Sequence, residues 1–188
     1  MSLPAPRGTV AAGERIYLRR LRGADGPEFL DGVRRSRALH GRWVSPPGDE
    51  EAFDAYLRRS RRPAHEVVVA RRTEDDSMAG VFHLGEIVRG AFLNAYLGYF
   101  AFRPLAGKGY MREAMDLVLR HAFEGVGLHR VEANIQPGNR RSIDLVECSG
   151  FRREGFSPRY LFIAGAWRDH ERWAITVEDW VVRERRRR

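Results

Sequence analysis

The sequence predicts a mixed α/β (α+β) fold in which helices cover both faces of a mostly antiparallel sheet. Three strand-like runs succeed one another between residues 66 and 101, and the dipeptide Arg89-Gly90 offers a tight turn between the last two. A strongly periodic apolar pattern at 109–123 then predicts a helix, and strand patterns enclose a further helix between residues 129 and 176. Consecutive strands followed by alternating strands and helices indicate a mixed sheet with helices on both sides.

The predicted elements are a strand at 15–21, helices at 26–38 and 50–60, strands at 66–71, 78–87 and 92–101, a helix at 109–123, a strand at 129–136, a helix at 139–149, and strands at 151–156, 160–163 and 167–176. Asp25 can cap the first helix, in which Pro27 lies in the first turn. The second helix has one apolar face, formed by Phe53, Tyr56 and Leu57. The helix at 109–123 carries an apolar stripe formed by Met111, Ala114, Met115, Val118, Leu119 and Ala122. Gly150 stands where a helix C′ glycine belongs, and Phe151 supplies the apolar contact that accompanies it.

Length and composition bound the class of protein. A chain of 188 residues, 43% hydrophobic and 31% charged, is typical of one globular domain. No apolar run approaches the roughly 18 residues of a membrane-spanning helix, and the N-terminal segment lacks a signal-peptide core. The single cysteine, Cys148, excludes a disulfide framework and a cysteine-based zinc site, and we expect it in the core. These observations predict a cytoplasmic protein with no membrane contact and no metal site.

The chain is basic, with 33 Lys and Arg against 25 Asp and Glu and a net charge of +8. Such a surface attracts nucleic acids, acidic proteins and polyphosphate ligands alike. We expect a flexible segment at 1–13, a single domain at 14–182 and a basic, solvated tail at 183–188.

The strongest chemical signal is the segment from Phe100 to Glu113, which joins a strand to the periodic helix. Gly107 and Gly109 let a ligand approach the backbone, and the free amides and dipole of a helix N-terminus favour an anion such as a pyrophosphate. The alternative is that the glycines only make a tight turn. A Walker loop is excluded because its first glycine position holds Phe102, and a dinucleotide fingerprint because its third holds Arg112. ATP and NAD are therefore disfavoured.

Five motifs in order complete the pattern: Gly107-Lys108-Gly109-Tyr110-Met111-Arg112-Glu113-Ala114, Arg130-Val131-Glu132-Ala133, Pro137-Gly138-Asn139-Arg140-Arg141-Ser142, Ser149-Gly150-Phe151 and Trp167-Arg168-Asp169-His170. Together they resemble the GNAT superfamily of acetyl-CoA-dependent N-acetyltransferases, and within it the branch that acts on the N-terminal alanine of ribosomal proteins. The resemblance covers nearly all of residues 14–180.

The resemblance implies a central pair of parallel strands that splay apart and hold acetyl-CoA in the gap, with no metal. It assigns cofactor binding to strand backbone, loop amides and a pantetheine contact, at Phe100, Ala101, Phe102, Gly107, Lys108, Gly109, Tyr110, Met111, Arg112 and Asn139. The sequence departs from the family pattern at Ala106, where a Gln or Arg is usual, and at Met111, where a small residue is usual. We expect binding to survive these departures because it depends on backbone amides more than on side chains.

Two residues are candidates for catalysis. Strand alternation places Glu132 on the polar face of its strand, where a carboxylate can remove the amine proton directly or through water. The family often has a tyrosine acid in the last helix, but Val146 stands at that position, and the resemblance implies that Ser142 relays a proton to the thiolate instead. The alternatives are a structural Glu132 and a Ser142 that caps its helix. A backbone N–H near Ala101 is the expected donor to the oxyanion.

We therefore expect an acetyl-CoA-dependent N-acetyltransferase whose acceptor is a primary amine, above all the N-terminal α-amine of a ribosomal protein. Its partners would be acetyl-CoA, a protein N-terminus and the ribosome, and the protein would be a monomer or a homodimer. Two alternatives stay open: an acetyltransferase of the same fold for a small amine or antibiotic, and a catalytically weak CoA- or nucleic-acid-binding module. Acceptor specificity is expected from Arg42-Trp43 and from the segment 160–167.

Overall fold

The computed structural model describes residues 8–187, in which eight strands form one sheet. The strands are β1 (Thr9–Ala12), β2 (Ile16–Arg20), β3 (Glu66–Arg72), β4 (Met78–Val88), β5 (Asn94–Ala101), β6 (Arg130–Ile135), β7 (Arg152–Ile163) and β8 (Ala166–Thr176). Their order in the sheet is β1-β2-β3-β4-β5-β6-β8-β7, and every pair of neighbours is antiparallel except the central pair β5 and β6. The predicted mixed, mostly antiparallel sheet is confirmed.

Six α-helices accompany the sheet within the described residues: α1 (Gly26–Arg35), α2 (Arg37–His40), α3 (Glu50–Ser60), α4 (Tyr110–Arg120), α5 (Arg140–Cys148) and α6 (Val177–Arg187). The helix predicted at 26–38 is interrupted at Ser36, whose buried hydroxyl accepts a hydrogen bond from the Arg103 amide at 3.0 Å. The helix α4 continues into one turn of π-helix at His121–Gly125. None of these helices is long and apolar enough to cross a membrane.

Two apolar cores lie on opposite faces of the sheet, as the prediction of helices on both faces requires. One core lies under α4 and α5 and includes Met115, Val118, Leu119, Val131, Ala133, Ile143 and Val146. The other lies under α1 and α3 and includes Phe29, Val33, Phe53, Leu57, Val69, Val81 and Phe102. We call the first the α4 face and the second the α1 face. Burial of these side chains is the main favourable term that holds the helices on the sheet.

The two ends of the chain differ from the sequence expectation. Residues 9–12 of the segment expected to be flexible form β1, an edge strand that pairs with β2 and packs Val10 and Ala11 against the α4-face core. At the other end, residues 183–187 of the expected tail continue α6, which is anchored by the buried Trp180 and by an Arg183–Asp116 ion pair of 2.5 Å. Residues 1–7 and 188 lie outside the described part of the chain. Both ends are held by contacts with residues far away in the chain, which local sequence patterns do not indicate.

Two side chains lie elsewhere than the sequence indicates. Asp25 precedes α1, but its carboxylate does not cap that helix; it binds the Arg19 guanidinium at 2.6 and 2.8 Å and the Arg22 amide, at the start of the preceding 3-10 turn, at 2.8 Å. Cys148, expected in the core, is exposed at the end of α5. The apolar stripe of α5 is supplied by Ile143 and Val146, which leaves the cysteine on the solvent side of the helix.

A partly buried histidine pair on the α1 face predicts an acid-sensitive fold. The Nδ1 atom of His65 lies 3.0 Å from Nε2 of His83, and burial, with the nearby His65 and Arg59, lowers the pKa of His83 to about 4. Because unfolded His83 regains a pKa of about 6.5, the unfolded state binds a proton that the folded state excludes as the pH falls from 7 to 5. We therefore expect the free energy of unfolding to fall by about 2 kcal/mol between pH 7 and pH 5 because of His83.

Urea unfolding of the wild type and of His83→Phe at pH 7 and pH 5 checks this expectation. The loss of stability between the two pH values should be smaller in the variant by about 2 kcal/mol, since the variant has no proton to exclude at this position. His40 and His170, whose pKa values burial also lowers, remain in both proteins and cancel in the comparison. Equal losses in the two proteins would contradict the assignment.

Candidate active site

The central feature of the sheet is a gap between β5 and β6. The two strands pair only at Asn94–Arg130, Ala95–Val131 and Tyr96–Glu132, although β5 continues to Ala101 and β6 to Ile135. From Leu97 onward the facing edges of the two strands have separated. The parallel strand pair expected to splay in the centre of the sheet is confirmed, and Glu132 lies at the point where the gap begins.

The two sides of β6 face different environments. Val131, Ala133 and Ile135 are buried in the α4-face core, whereas Glu132 and Asn134 point to the α1 face and are partly exposed. This is the alternation that the sequence predicts. Groups on the α1 face therefore meet a molecule in the gap from one side of the sheet, and groups at the start of α5 meet it from the other.

The backbone of β5 has donors directed into the gap. The Phe102 amide donates to the Ala79 carbonyl of β4 at 2.9 Å. Because successive peptide groups of a strand point to alternate sides, the Phe100 amide is directed toward β4, and the Tyr99 and Ala101 amides toward the gap. The Phe102 carbonyl accepts from the Leu105 and Ala106 amides, so the backbone of Phe102 is fully used inside the protein. Phe102 is a buried anchor for the following loop, and Phe100 directs its backbone to β4, which leaves the backbone amides of Tyr99 and Ala101 to face a ligand.

The loop at the mouth of the gap presents a run of free amides. No acceptor among the described residues binds the N–H groups of residues 107–111, although the neighbouring amides of Ala106 and Arg112 are bonded. Gly107 and Gly109 have φ values of 82° and 84°, a region that favours glycine. These two residues turn the chain so that the first amides of α4 and the loop amides point outward together. Such an array binds a phosphate or pyrophosphate.

The side chains of Tyr110 and Met111 point away from this array. The Tyr110 ring lies beneath the guanidinium groups of Arg15 and Arg72, with centroid distances of 5.1 and 5.6 Å. The Met111 sulfur packs on Gly80 of β4, in the space that a Cβ atom at Gly80 would need. Only the backbone of these two residues is available to a ligand. The departure from a small residue at Met111 therefore does not obstruct the loop.

Three cations surround the free amides. The sequence predicted Lys108 and Arg112, and the fold adds Arg15, whose Nη1 atom lies 3.4 Å from the Lys108 carbonyl oxygen. Glu113, the acid in the first turn of α4, accepts from the backbone and side chain of Arg15 at 2.7 and 3.0 Å, so its charge is largely offset. The mouth of the gap is therefore positive.

The start of α5 closes the other side of the gap. Asn139 caps the helix, because its Oδ1 atom accepts from the Ser142 amide at 3.3 Å; its Nδ2 group has no partner among the described residues. Ser142 is therefore not the cap, and its hydroxyl lies 2.5 Å from the Tyr99 hydroxyl of β5. Burial raises the pKa of Tyr99, although its bond to Ser142 opposes this shift, so the phenol keeps its proton at pH 7.

Val146, at the position of the family's tyrosine, is fully buried one turn after Ser142. A phenol hydroxyl thus reaches this side of the gap from β5, by way of Tyr99, and not from α5.

Glu132 belongs to a small charged network on the α1 face. Its Oε1 atom accepts from Nε of Arg130 at 2.9 Å, and Arg130 also binds Glu154 through two nitrogens. The bonds to Glu154 and Glu132 outweigh burial and raise the pKa of Arg130, which keeps the guanidinium charged. One oxygen of Glu132 is thus held in place while the carboxylate remains 12% exposed. A carboxylate fixed beside an open gap is suited to accept a proton.

The connection between α2 and α3 spans the open end of the gap. The His40 ring bonds the Ala101 carbonyl at 2.9 Å on the β5 side. On the β6 side, the Gln136 amide donates to the Arg42 and Trp43 carbonyls at 3.1 and 3.4 Å. Beside this connection lies an open pocket of about 300 Å³ lined by Arg42, Trp43, Gln136, Pro137, Gly138, Trp167, Arg168 and Asp169. It includes the Arg42-Trp43 segment and Trp167, from which acceptor specificity was expected.

A sheet that opens between two parallel strands, with free amides and positive charge at the mouth, defines a protein built to hold an extended anionic ligand between strands. Residues 15–152 match the family described as the acetyltransferase (GNAT) domain, and the chain belongs to that family. The unpaired β5 edge, the amides of 107–111 and the Nδ2 group of Asn139 are hydrogen-bonding groups without a partner among the described residues.

Two curated relatives differ in the acceptor that their names state. The [ribosomal protein uS5]-alanine N-acetyltransferase of Escherichia coli is 40% identical over 107 residues, 57% of this chain and 55% of that protein. The chain thus spans about half the length of this curated relative. Spermidine N(1)-acetyltransferase of Vibrio cholerae is 23% identical over 157 residues, 82% of this chain and 90% of that protein.

A solved structure supports the same relationship. Mycobacterium smegmatis RimJ in complex with CoA-disulfide has a TM-score of 0.80 and 28% identity, with 87% of this chain and 83% of that chain covered.

The fold brings together residues that sequence reasoning did not select. Arg15, His40 and Tyr99 lie far along the chain from their partners Lys108, Ala101 and Ser142. Of these three residues, only Tyr99 could have been selected from the sequence. It is adjacent to Phe100 in the strand predicted to bind the cofactor, so its side chain lies on the opposite side of the sheet from that of Phe100. Among the described residues, no three His, Cys, Asp or Glu side chains come together as metal ligands.

Proposed function

We propose that this protein is an acetyl-CoA-dependent N-acetyltransferase that acts on the N-terminal α-amine of a protein, above all a ribosomal protein. The observation that carries the proposal is the gap between β5 and β6, which has free amides 107–111 at its mouth and Glu132 at its inner end. The name of the E. coli relative supports the acceptor class, and the CoA-disulfide bound by the RimJ neighbour supports the co-substrate.

Acetyl-CoA would be held mainly by backbone groups. The amides of residues 107–111 would take its pyrophosphate, with Lys108, Arg112 and Arg15 as counter-charges. The free edge of β5, through the backbone amides of Tyr99 and Ala101, and the Nδ2 group of Asn139 would bind the pantetheine arm. Acetyl-CoA supplies an activated acetyl thioester, and the Ala101 amide is directed so that it can donate to the thioester carbonyl oxygen.

Glu132 is proposed as the general base. An amine must lose its proton before it attacks, and an N-terminal α-amine, with an ordinary pKa of about 7.7–8.0, needs less help than a lysine with one of about 10.4. Glu132 lies on the α1 face, and Arg130 fixes one of its oxygens at 2.9 Å. The acceptor would therefore enter from the α1 face and give its proton to Glu132 directly or through a water molecule.

Ser142 is proposed to protonate the departing sulfur from the α4 face. Its hydroxyl lies 2.5 Å from the Tyr99 hydroxyl. When Tyr99 donates to Ser142 Oγ, the Ser142 proton is free for the sulfur. Ser142 regains a proton from solvent as the thiol leaves, so Tyr99 is a positioning residue that orients the serine and keeps its own tightly held proton.

Acetyl transfer to short peptides tests the proposed function. The protein is incubated with acetyl-CoA and a peptide that begins with a free alanine, and free thiol and acetylated peptide are measured together. We expect equal amounts of both, with no product from the same peptide carrying a blocked N-terminus and an internal lysine. Thiol release with spermidine and none with any free-alanine peptide would contradict the acceptor class. Because the acceptor is proposed to be a ribosomal protein, we propose the cytoplasm as the place of action.

Tyr99→Phe tests the role of the tyrosine. The variant removes only the hydroxyl that orients Ser142, so we expect kcat to fall about tenfold while the Kd for acetyl-CoA stays within about twofold. Ser142→Ala should cost at least as much, and the double variant no more than Ser142→Ala alone, because Tyr99 acts through the serine. If the fold losses in kcat of the two single variants multiplied in the double variant, the two hydroxyls would act independently.

Gly98→Val tests the side from which the acceptor enters. Gly98 faces the α1 face beside the gap, opposite His83 in β4, and a Cβ atom built there would meet no atom within 4 Å. The side chain should fit without strain and fill space that the acceptor needs, so KM for the peptide should rise about tenfold with acetyl-CoA binding unchanged. Gly98→Ala should give a smaller rise. An unchanged KM in both variants would place the acceptor elsewhere.

A further inference from the structure

The open pocket beside the gap is lined by two arginines and two tryptophans. Arg42 lies with its guanidinium 4.6 Å from the centroid of the Trp43 ring, and Arg168 bonds only a carbonyl oxygen, that of Ile163, at 3.4 Å. Neither arginine has a carboxylate within ion-pair distance in the part of the chain that the structure describes. Trp167 is 61% exposed. The pocket therefore combines positive charge with flat apolar surface, both of which a bound peptide can contact.

The carboxylates near the gap are already bound within the protein. Glu132 and Glu154 share Arg130, and Asp169 at the pocket accepts from the Arg159 amide at 2.7 Å. A polyamine carries several ammonium groups, and each needs an uncommitted carboxylate or carbonyl to offset the loss of water. Asp169 is the one carboxylate that lines the pocket, and it stands against the two arginines, so the described pocket residues carry a net positive charge that disfavours a polyamine.

The pocket lies at a definite distance from the proposed base. Glu132 lies on β6, and Gln136, which continues the chain directly after that strand, lines the pocket. Four residues of strand at about 3.3 Å each place the pocket about 13 Å from Glu132. An acceptor chain that is extended and has its amine at Glu132 therefore reaches the pocket with about its fourth or fifth residue.

We infer that the pocket selects N-terminal peptides with acidic side chains at about their fourth and fifth residues, and that it disfavours polyamines. The inference rests on the proposed function and narrows its substrate class. Arg42 and Arg168 bind the carboxylates of the acceptor peptide, and Trp43 and Trp167 pack against the aliphatic parts of the same acidic side chains. The amine itself is left to Glu132, so recognition and proton transfer use separate groups.

Three alanine-initiated peptides test the inference, identical except for Glu-Glu, Gln-Gln or Lys-Lys at positions four and five, with spermidine as a fourth acceptor. At low ionic strength we expect kcat/KM in the order Glu-Glu, Gln-Gln, Lys-Lys, with about tenfold between the extremes. The double variant Arg42→Glu/Arg168→Glu should reverse the order. The matched control is Arg61→Glu/Arg62→Glu, which makes the same change in net charge at exposed residues beyond the end of α3, beside a different pocket, and should keep the wild-type order.

The outcomes separate this inference from the proposed function. Equal kcat/KM for the three peptides, or an order that the Arg42/Arg168 reversal leaves unchanged, would overturn the inference and leave the acetyltransferase activity standing. Spermidine turned over faster than every peptide would also overturn it. Absence of thiol release with all four acceptors would contradict the proposed function, and the inference with it. Acetyl-CoA should raise the melting temperature of both double variants as it does that of the wild type, which verifies that they are folded.

Discussion

Glu132→Gln is expected to lower kcat at least about a hundredfold while it leaves the Kd for acetyl-CoA within about twofold. The variant keeps the size and the hydrogen-bonding oxygen of the side chain but removes its ability to take a proton. Acetyl-CoA binding should not change, because the proposed binding groups lie on β5, in the loop 103–109 and at the start of α4 and α5. Pre-steady-state and steady-state thiol release, with separate titration of acetyl-CoA, measure the two quantities.

Glu154→Gln is the matched control for this variant. Glu154 is the second carboxylate bound to Arg130, and its loss removes the same charge from the same network. Because Glu154 lies on β7 and not at the gap, we expect kcat within about threefold of the wild type. If the two variants lost activity equally, the effect would belong to the network that holds Arg130, and Glu132 would lose its assignment as the base.

Asp25→Asn is expected to destabilise the protein by about 3–5 kcal/mol, because it breaks a buried ion pair from one side. The Asp25 carboxylate is 5% exposed, and the Arg19 guanidinium that it binds is 9% exposed; Arg71 lies 3.8 Å away. The variant leaves a buried guanidinium without its counter-charge. The melting temperature should fall by roughly 10 °C for a domain of this size.

The pH dependence of this variant has a definite sign. Burial would raise the pKa of Asp25, but the bonds from Arg19 and the Arg22 amide lower it below its ordinary value. A lowered carboxyl pKa contributes stability above the unfolded value of about 3.9, and that contribution is lost as the pH falls through the folded pKa. The difference between wild type and Asp25→Asn should therefore be full at pH 7 and shrink below about pH 4.

Asp31→Asn provides the control for stability. Asp31 is a half-exposed acid on α1 that pairs with Arg34 and Arg35, so its loss should cost less than about 1 kcal/mol. A large loss in Asp25→Asn and a small one in Asp31→Asn would locate the stability in the buried network. Comparable small losses would contradict the role given to Asp25. The network matters for the site because α1, which follows Asp25 directly, packs against Phe102 at the start of the loop 103–109.

Local sequence patterns were sufficient for most of the architecture. The polar and apolar residues of β6 alternate strictly, so the side of Glu132 followed from its neighbours alone. The loop at Gly107 and Gly109 could also be predicted, because the first amides of any helix lack intrahelical partners and glycines beside them let a ligand approach the backbone. The helix α3 runs from Glu50 to Ser60, as its apolar spacing predicted.

The features that sequence reasoning missed are long-range contacts. β1 is a short edge strand of weak strand character that is ordered by pairing with β2. Tyr99 and Ser142 are 43 residues apart and meet only because β5 and β6 diverge and bring the start of α5 over the gap. Asp25 had a local alternative as a helix cap, but an ion pair with a buried arginine is the stronger interaction and determined its position.

The measurement that tests the central claim most directly is a thermal-shift titration of the wild type with acetyl-CoA, beside ATP, NAD and pyrophosphate. A ligand present at a hundred times its Kd adds about 2.7 kcal/mol to the stability of the folded state. For a domain of this size the melting temperature should then rise by about 5–10 °C. We expect this shift with acetyl-CoA and much smaller shifts with the other three ligands. No shift with acetyl-CoA would contradict the claim that the gap between β5 and β6 holds the co-substrate. Equal shifts with every polyphosphate would also contradict it, because they would show that residues 107–111 form a general anion site.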